Sequence, residues 1–192
     1  MNNWQKAIEV LKKGGIVIFP TDTAFGIGCR IDNEISVERL FEIRKRPKNQ
    51  ATPILVSSID MAKRYVQETI SEKAYNLMKK YWPGALTLVL PANLQTVPAL
   101  VRGGGTTVGL RIPDETSLIG MIEKLGVPIL GPSANFHGGE TPYKFEQLSK
   151  ELIEKVDFVV RGKTKQLNTS TVLDVTKEKW KILRQGAVSI NI

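Results

Sequence analysis

The sequence is nearly without cysteine and histidine, with one of each in 192 residues. A lone Cys29 excludes an internal disulfide framework and a CxxC metal site. A lone His137 excludes a multi-histidine metal centre, and no elbow motif beside it marks a Ser-His-Asp triad. No apolar run is long enough to cross a bilayer. The segment Met1 to Lys13 is amphipathic and lacks the apolar core of a signal peptide. We therefore expect a cytoplasmic protein with no membrane partner. Acidic residues are also in deficit: 19 Asp+Glu stand against 27 Lys+Arg, giving a net charge of +8. That excess favours anionic partners such as nucleotides, phosphates or nucleic acid.

What is present is a globular composition, 42% hydrophobic and 24% charged. No linker, repeat or low-complexity stretch divides it, so a single domain over residues 1–192 is expected. Trp4, Ala7, Ile8, Val10 and Leu11 recur at helical spacing before Gly14-Gly15. The apolar run Ile16 to Phe19 reads as a buried strand that ends in the polar, Gly-containing loop Pro20 to Cys29. Ser36 is a candidate cap for a helix through Ile43, which ends at Arg44-Lys45-Arg46-Pro47. Strands are expected at 53–57, 85–90, 106–112, 128–130, 156–160, 170–175 and 181–183. Helices are expected at 71–81, 118–125 and 144–155. Consecutive strands near the C-terminal end call for some antiparallel pairing. The fold class that follows is α/β, with a mixed β-sheet of about seven strands and flanking helices.

Two nucleotide motifs fail. Gly162-Lys163-Thr164 imitates the end of a P-loop, but Asp157 stands where that motif needs its first glycine. Gly26-Ile27-Gly28 starts a dinucleotide fingerprint that Ile31 breaks. Cys29 reads as a small buried residue. What remains is a set of hydroxyls, amides and arginines where strands meet loops. Thr21 and Thr23 follow the first strand, and Arg44 and Arg46 end a helix. Thr107 and Arg111 share one face of a strand because their separation is even. Ser133 and Asn135 lie in a second polar loop with Thr141 shortly after. Ser170 opens one strand and Arg184 ends another. Such an inventory lacks a general base and a metal cage. It suits phosphate-bearing substrates handled by positioning and charge neutralisation.

The motif Pro20-Thr21-Asp22-Thr23-Ala24-Phe25-Gly26-Ile27-Gly28 resembles the opening block of the YrdC/TsaC family, the threonylcarbamoyl-AMP synthases. Arg44-Lys45-Arg46-Pro47 resembles its KxRP block, and Trp82-Pro83-Gly84-Ala85-Leu86-Thr87 its WPGPxT turn. Val108 to Pro113, Pro132 to Asn135, Ser170 to Asp174 and Ile182 to Gly186 resemble the remaining blocks, in family order. The resemblance implies a twisted, YrdC-like mixed sheet around a concave basic cleft, in the short, single-domain form. It implies a nucleotidyltransferase that makes threonylcarbamoyl-adenylate and pyrophosphate from L-threonine, bicarbonate and ATP, for t6A modification of tRNA. By the same resemblance Thr23, Arg111 and Ser170 hold threonine, with Arg111 as the fork for its carboxylate. Arg46, Thr107, Ser133, Asn135, Thr141 and Arg184 surround ATP, and Arg44, Arg46, Ser133 and Asn135 are the catalytic set. Mg²⁺ is expected with the phosphates of ATP, with no metal ligand assigned in the chain. A downstream t6A transferase complex is the implied partner, with tRNA or double-stranded RNA as a further one. The alternative is a paralogue that binds RNA or nucleotide without making the adenylate. The chain departs from the family pattern at Arg44 (usually Lys), at Phe25 (usually Tyr) and at His137-Gly138 (usually Ser-Gly).

Overall fold

A computed structural model describes residues 2–67 and 70–190 of the chain. Met1, where the N-terminal amphipathic segment begins, lies outside them. Helix α1 (Asn3–Lys12) opens the chain, with Asn2 and Gln5 forming a reciprocal capping box. A β-hairpin of β1 (Val17–Pro20) and β2 (Phe25–Gly28) follows. The segment Phe25 to Gly28, expected as loop, is therefore a strand. Both hairpin strands are buried throughout, so neither shows the alternation that marks a half-exposed strand.

Helix α2 (Glu34–Ile43) is capped by Asn33 and not by Ser36. The Ser36 hydroxyl, already inside the helix, donates instead to the Gly14 carbonyl at 2.7 Å. A short α3 (Ile59–Lys63), absent from the sequence reading, separates β3 (Ile54–Leu55) from α4 (Glu72–Tyr81). Its five residues are too few to display a helical period. Strands β4 (Leu86–Pro91) and β5 (Thr107–Arg111) precede α5 (Thr116–Leu125) and β6 (Ile129–Leu130). The helix expected over 144–155 is two pieces. A 3₁₀ turn at Phe145–Gln147 is followed by α6 (Lys150–Lys155), because Ser149 caps a fresh start by accepting from the Leu152 amide. Strands β7 (Phe158–Val159), β8 (Thr171–Asp174) and β9 (Lys181–Arg184) complete the order.

Among the described residues these strands form two mixed sheets, ordered β2-β1-β7 and β6-β3-β5-β4-β8-β9. They meet along a seam. The Ile27 amide donates to the Pro132 carbonyl, Leu130 to Cys29, and Ala134 to Phe25. The backbones approach so closely there that a Cβ on Gly28 would sit 2.1 Å from the Leu130 carbonyl oxygen. The core packs across the seam, with Phe19, Phe25, Ile27, Leu40, Phe41, Ile54 and Leu130 fully buried. No helix among the described residues is long and apolar enough to cross a membrane.

Cys29 lies in this core with no exposed surface. Burial pushes its thiol pKa up from 9.0 to about 12. The unfolded chain therefore ionises first, and stability that is complete below pH 9 is lost as pH rises toward 12. We predict that Cys29→Ala flattens the stability profile between about pH 9 and 12 in urea titrations. A profile identical to that of the unchanged chain would contradict the assignment.

Candidate functional site

Sheet register gathers the site. Across the six-stranded sheet Leu55 pairs with Arg111, Thr87 with Val172, and Val172 with Arg184. The end of β3, the end of β5, the start of β4, the start of β8 and the end of β9 thus share one edge. The β1–β2 turn, the end of α2 and the loop after β6 close over that edge from the seam. The cavity between them is lined by Thr21, Thr23, Arg44, Arg46, Thr87, Arg111, Ser133, Thr169, Ser170 and Arg184, with Pro53, Leu55, Phe25 and Pro132 as apolar walls. It holds about 160 Å³ of water-sized space and opens to solvent, so a larger ligand would extend through the mouth.

The β1–β2 turn is built by Thr21. Its hydroxyl donates to the Ala24 carbonyl at 2.7 Å and accepts from the Thr23 and Ala24 amides at 3.0 and 3.2 Å. This local bonding competes with further ladder formation and tips Thr23 inward. The Thr23 hydroxyl then accepts from Arg111 Nη1 at 2.9 Å.

Arg111 is spoken for. Its Nε donates to the Gly84 carbonyl at 2.8 Å, and Nη2 meets Asp22 Oδ1 at 2.5 Å. Both partners of that ion pair are buried, at 7% and 1% side-chain exposure. Desolvation lowers the Arg111 pKa, and the Asp22 carboxylate opposes that shift. A guanidinium whose charge is already answered is a poor fork for a second carboxylate, so Arg111 orients Thr23 and joins sheet to hairpin. The sequence alone did not reveal Asp22 in this role, because the two residues lie 89 positions apart.

Arg44, Arg46 and Arg184 differ. Among the described residues none of the three pairs with a carboxylate. Arg44 is 3% exposed, donates through Nε to the Asn135 carbonyl at 2.9 Å, and leaves Nη1 buried without a partner. Burial first, and Arg46 beside it second, bring its pKa down to about 10. It stays charged at neutral pH. Arg46 is fixed by the Gln50 and Ala51 carbonyls, and burial lowers its pKa as well. Arg184 donates through Nε and Nη2 to the Ser170 carbonyl at 3.0 and 2.9 Å, and through Nη2 to the Ser170 hydroxyl. Its pKa falls through burial and the proximity of Arg111. Ser170 in turn shares a hydrogen bond with Thr87 at 2.9 Å.

Arg44 is buried, Arg46 half-buried and Arg184 exposed at the cavity mouth. Backbone carbonyls brace all three, and among the described residues none has a counter-charge, an arrangement suited to an anion.

The end of α2 shapes this wall. Lys45 has φ of 53°, the one positive-φ residue other than glycine among those described. Its amide bonds the Glu42 carbonyl and the Arg46 amide bonds the Phe41 carbonyl, both at 2.9 Å. That is a Schellman ending, in which glycine is the usual occupant. A side chain there costs about 1 to 2 kcal/mol. The reversal turns both Arg44 and Arg46 into the cavity.

Of the residues singled out by sequence, Thr23, Arg44, Arg46, Arg111, Ser133, Ser170 and Arg184 line one cavity. Thr107 does not. It pairs with Pro91 at the far end of β5, about 14 Å from Arg111 at the usual rise per residue. A shared strand face is not a shared place. Asn135 shapes the loop instead of facing the cavity, with Nδ2 donating to the Phe136 and Gly139 carbonyls at 2.8 Å. Thr141 is half-buried and not among the lining residues, though its neighbour Pro142 accepts from the amide of Phe25 in the cavity wall. His137 is exposed. Thr87 and Thr169 were missed, and a hydroxyl at a strand end beside Trp82-Pro83-Gly84 was the available signal for Thr87.

A family model described as telomere recombination matches residues 9–186. The chain belongs to the Sua5/YciO/YrdC family. It is 33% identical over 186 residues to the threonylcarbamoyl-AMP synthase of Bacillus subtilis, covering 96% of this chain and 53% of that one. The crystal structure of Pyrococcus abyssi Sua5 complexed with L-threonine superposes with a TM-score of 0.87 at 34% identity, covering 95% of this chain and 54% of that one. The crystal structure of E. coli YciO superposes at 0.86 with 27% identity, covering 97% and 90%. The chain thus spans about half the length of the B. subtilis and P. abyssi relatives and most of YciO. The α/β fold described above is the one shared with these structures.

Proposed function

We propose that the chain is a threonylcarbamoyl-AMP synthase: a nucleotidyltransferase that converts L-threonine, bicarbonate and ATP to threonylcarbamoyl-adenylate and pyrophosphate, in the cytoplasm, for t6A modification of tRNA. The observation that carries this reading is the trio Arg44, Arg46 and Arg184, converging on a hydroxyl-lined cavity with no carboxylate partner among the described residues, in a chain of this family. The names of the relatives and the threonine complex of P. abyssi Sua5 support it.

The chemistry asks for positioning. Bicarbonate condenses with the threonine amine to a carbamate and water. A carbamate oxygen then attacks the α-phosphorus, and pyrophosphate leaves. Charge builds on the leaving group, and fixed guanidinium groups stabilise it without reorganising. The hydroxyls of Thr23, Ser133 and Ser170 offer short, directional contacts to the amino acid and nucleotide. Thr107, Asn135 and Thr141 do not line the cavity. Asn135 acts through its carbonyl on Arg44.

Magnesium is read as arriving with ATP, whose phosphates supply many of its ligands. Among the described residues no group of three or more His, Cys, Asp or Glu side chains could hold a metal ion. Asp22 gives Oδ1 to Arg111, and its Oδ2 is buried without a partner among the described residues. On this reading ATP enters as its magnesium salt, with the ion as part of the substrate.

Pyrophosphate release from ATP is expected only when threonine and bicarbonate are both supplied. Release indifferent to threonine would overturn the reading. Salt-sensitive binding of tRNA or nucleotide without any release would establish the non-synthetic alternative.

A further inference from the structure

The strained turn at Lys45 has a partner across the cavity wall. Its ammonium lies 4.9 Å from the centre of the Phe136 ring. Phe136 belongs to the loop after β6, which carries Ser133 and Asn135. That loop is already tied to α2 twice, by Arg44 Nε donating to the Asn135 carbonyl and by the His137 amide donating to the Arg44 carbonyl at 2.7 Å. Glycine would satisfy the backbone of this turn more easily than lysine does. Strain of this kind persists where a surrounding contact requires it, and the contact on view is the cation over the ring.

We infer that Lys45 is a positioning residue: its stacking on Phe136 clamps the turn bearing Arg44 and Arg46 against the 133–139 loop and holds the anion-binding wall closed. The inference rests on the anion-binding reading of the cavity. Lys45 itself is exposed and does not line it. An aromatic ring under an ammonium contributes little to global stability at an exposed site. It does fix the relative placement of two short segments whose guanidinium and hydroxyl groups must face one ligand, and small misplacements are costly there.

The test uses the full chain with Lys45→Gly, Lys45→Arg, Phe136→Leu and the Lys45→Gly/Phe136→Leu pair. Readouts are the melting temperature, hydrogen exchange at the His137 amide, and calorimetric affinity for inorganic pyrophosphate. Lys45→Gly is expected to melt at or above the unchanged chain, because it relieves the turn. Its His137 amide should exchange faster, and pyrophosphate affinity should fall roughly two- to fivefold. Lys45→Arg keeps a cation over the ring and should match the unchanged chain. Phe136→Leu should reproduce the affinity loss, and the pair should bind no more weakly than either single variant. Unchanged pyrophosphate affinity or unchanged His137 exchange in Lys45→Gly would overturn the inference, as would additive losses in the pair. None of these readouts needs turnover. A chain that binds pyrophosphate but forms no adenylate overturns the synthase reading alone, and one that binds no pyrophosphate overturns both.

Discussion

Arg111→Ala is expected to lose about 3 to 5 kcal/mol of folding stability, a large part of what holds a typical domain together. The reason is Asp22. With 1% side-chain exposure it has no route to water, and its other oxygen, Oδ2, is buried without a partner. Removing the guanidinium leaves a carboxylate stranded in the seam between the two sheets. It also unties the Gly84 carbonyl from the strand end. Replacing both partners, as Asp22→Leu with Arg111→Met, should recover most of the loss, since the pair's attraction only offsets its desolvation. Activity should not recover, because Thr23 loses the donor that orients it. Urea denaturation of the two singles and the double decides the matter. A loss under about 1 kcal/mol in Arg111→Ala would mean that the pair is solvated. This expectation replaces the sequence-based view of Arg111 as a free fork for the threonine carboxylate.

Arg44→Met should behave in the opposite way. Arg44 is as buried as Arg111, yet it has no carboxylate and one orphaned nitrogen. Methionine fills much of its volume and removes an uncompensated charge at the loss of one hydrogen bond to the Asn135 carbonyl. Stability should stay within about 1 kcal/mol of the unchanged chain. The catalytic effect should be large, with kcat/KM for adenylate formation down about 10² to 10³-fold, the range seen when one preorganised donor is removed from a developing charge. Arg44→Lys should retain much of the activity, since a point charge suffices for part of the electrostatics. Chemical denaturation and pyrophosphate release, measured on the same preparations, separate the two effects. A stability loss as large as that of Arg111→Ala would show that Arg44 has a counter-charge after all. The pair of variants thus distinguishes a cation that holds the fold from one that waits for a ligand.

The sequence blocks that carry the family resemblance were read correctly as blocks because each is local. A Pro-Thr-x-Thr turn, an Arg-x-Arg-Pro helix end and a Trp-Pro-Gly turn have their chemistry within a few residues. Long helices such as α1, α4 and α5 were legible for the same reason, since burial on one face repeats along the chain. The hairpin strand β2 was hidden because burial on both faces erases the period. Thr107 lies at the far end of β5 from Arg111, because parity along a strand fixes a face and says nothing of distance from the sheet edge.

By itself the chain determined its α/β class, its excess of positive charge and the polar residues at strand ends, since composition and short-range spacing are written in the order of the residues. Only the tertiary structure decided which cations are available. Asp22 reaches Arg111 across the hairpin and the sheet edge, and among the described residues no carboxylate reaches Arg44, Arg46 or Arg184. Whether a buried charge is answered depends on what packs against it, and packing brings together residues that the sequence keeps far apart.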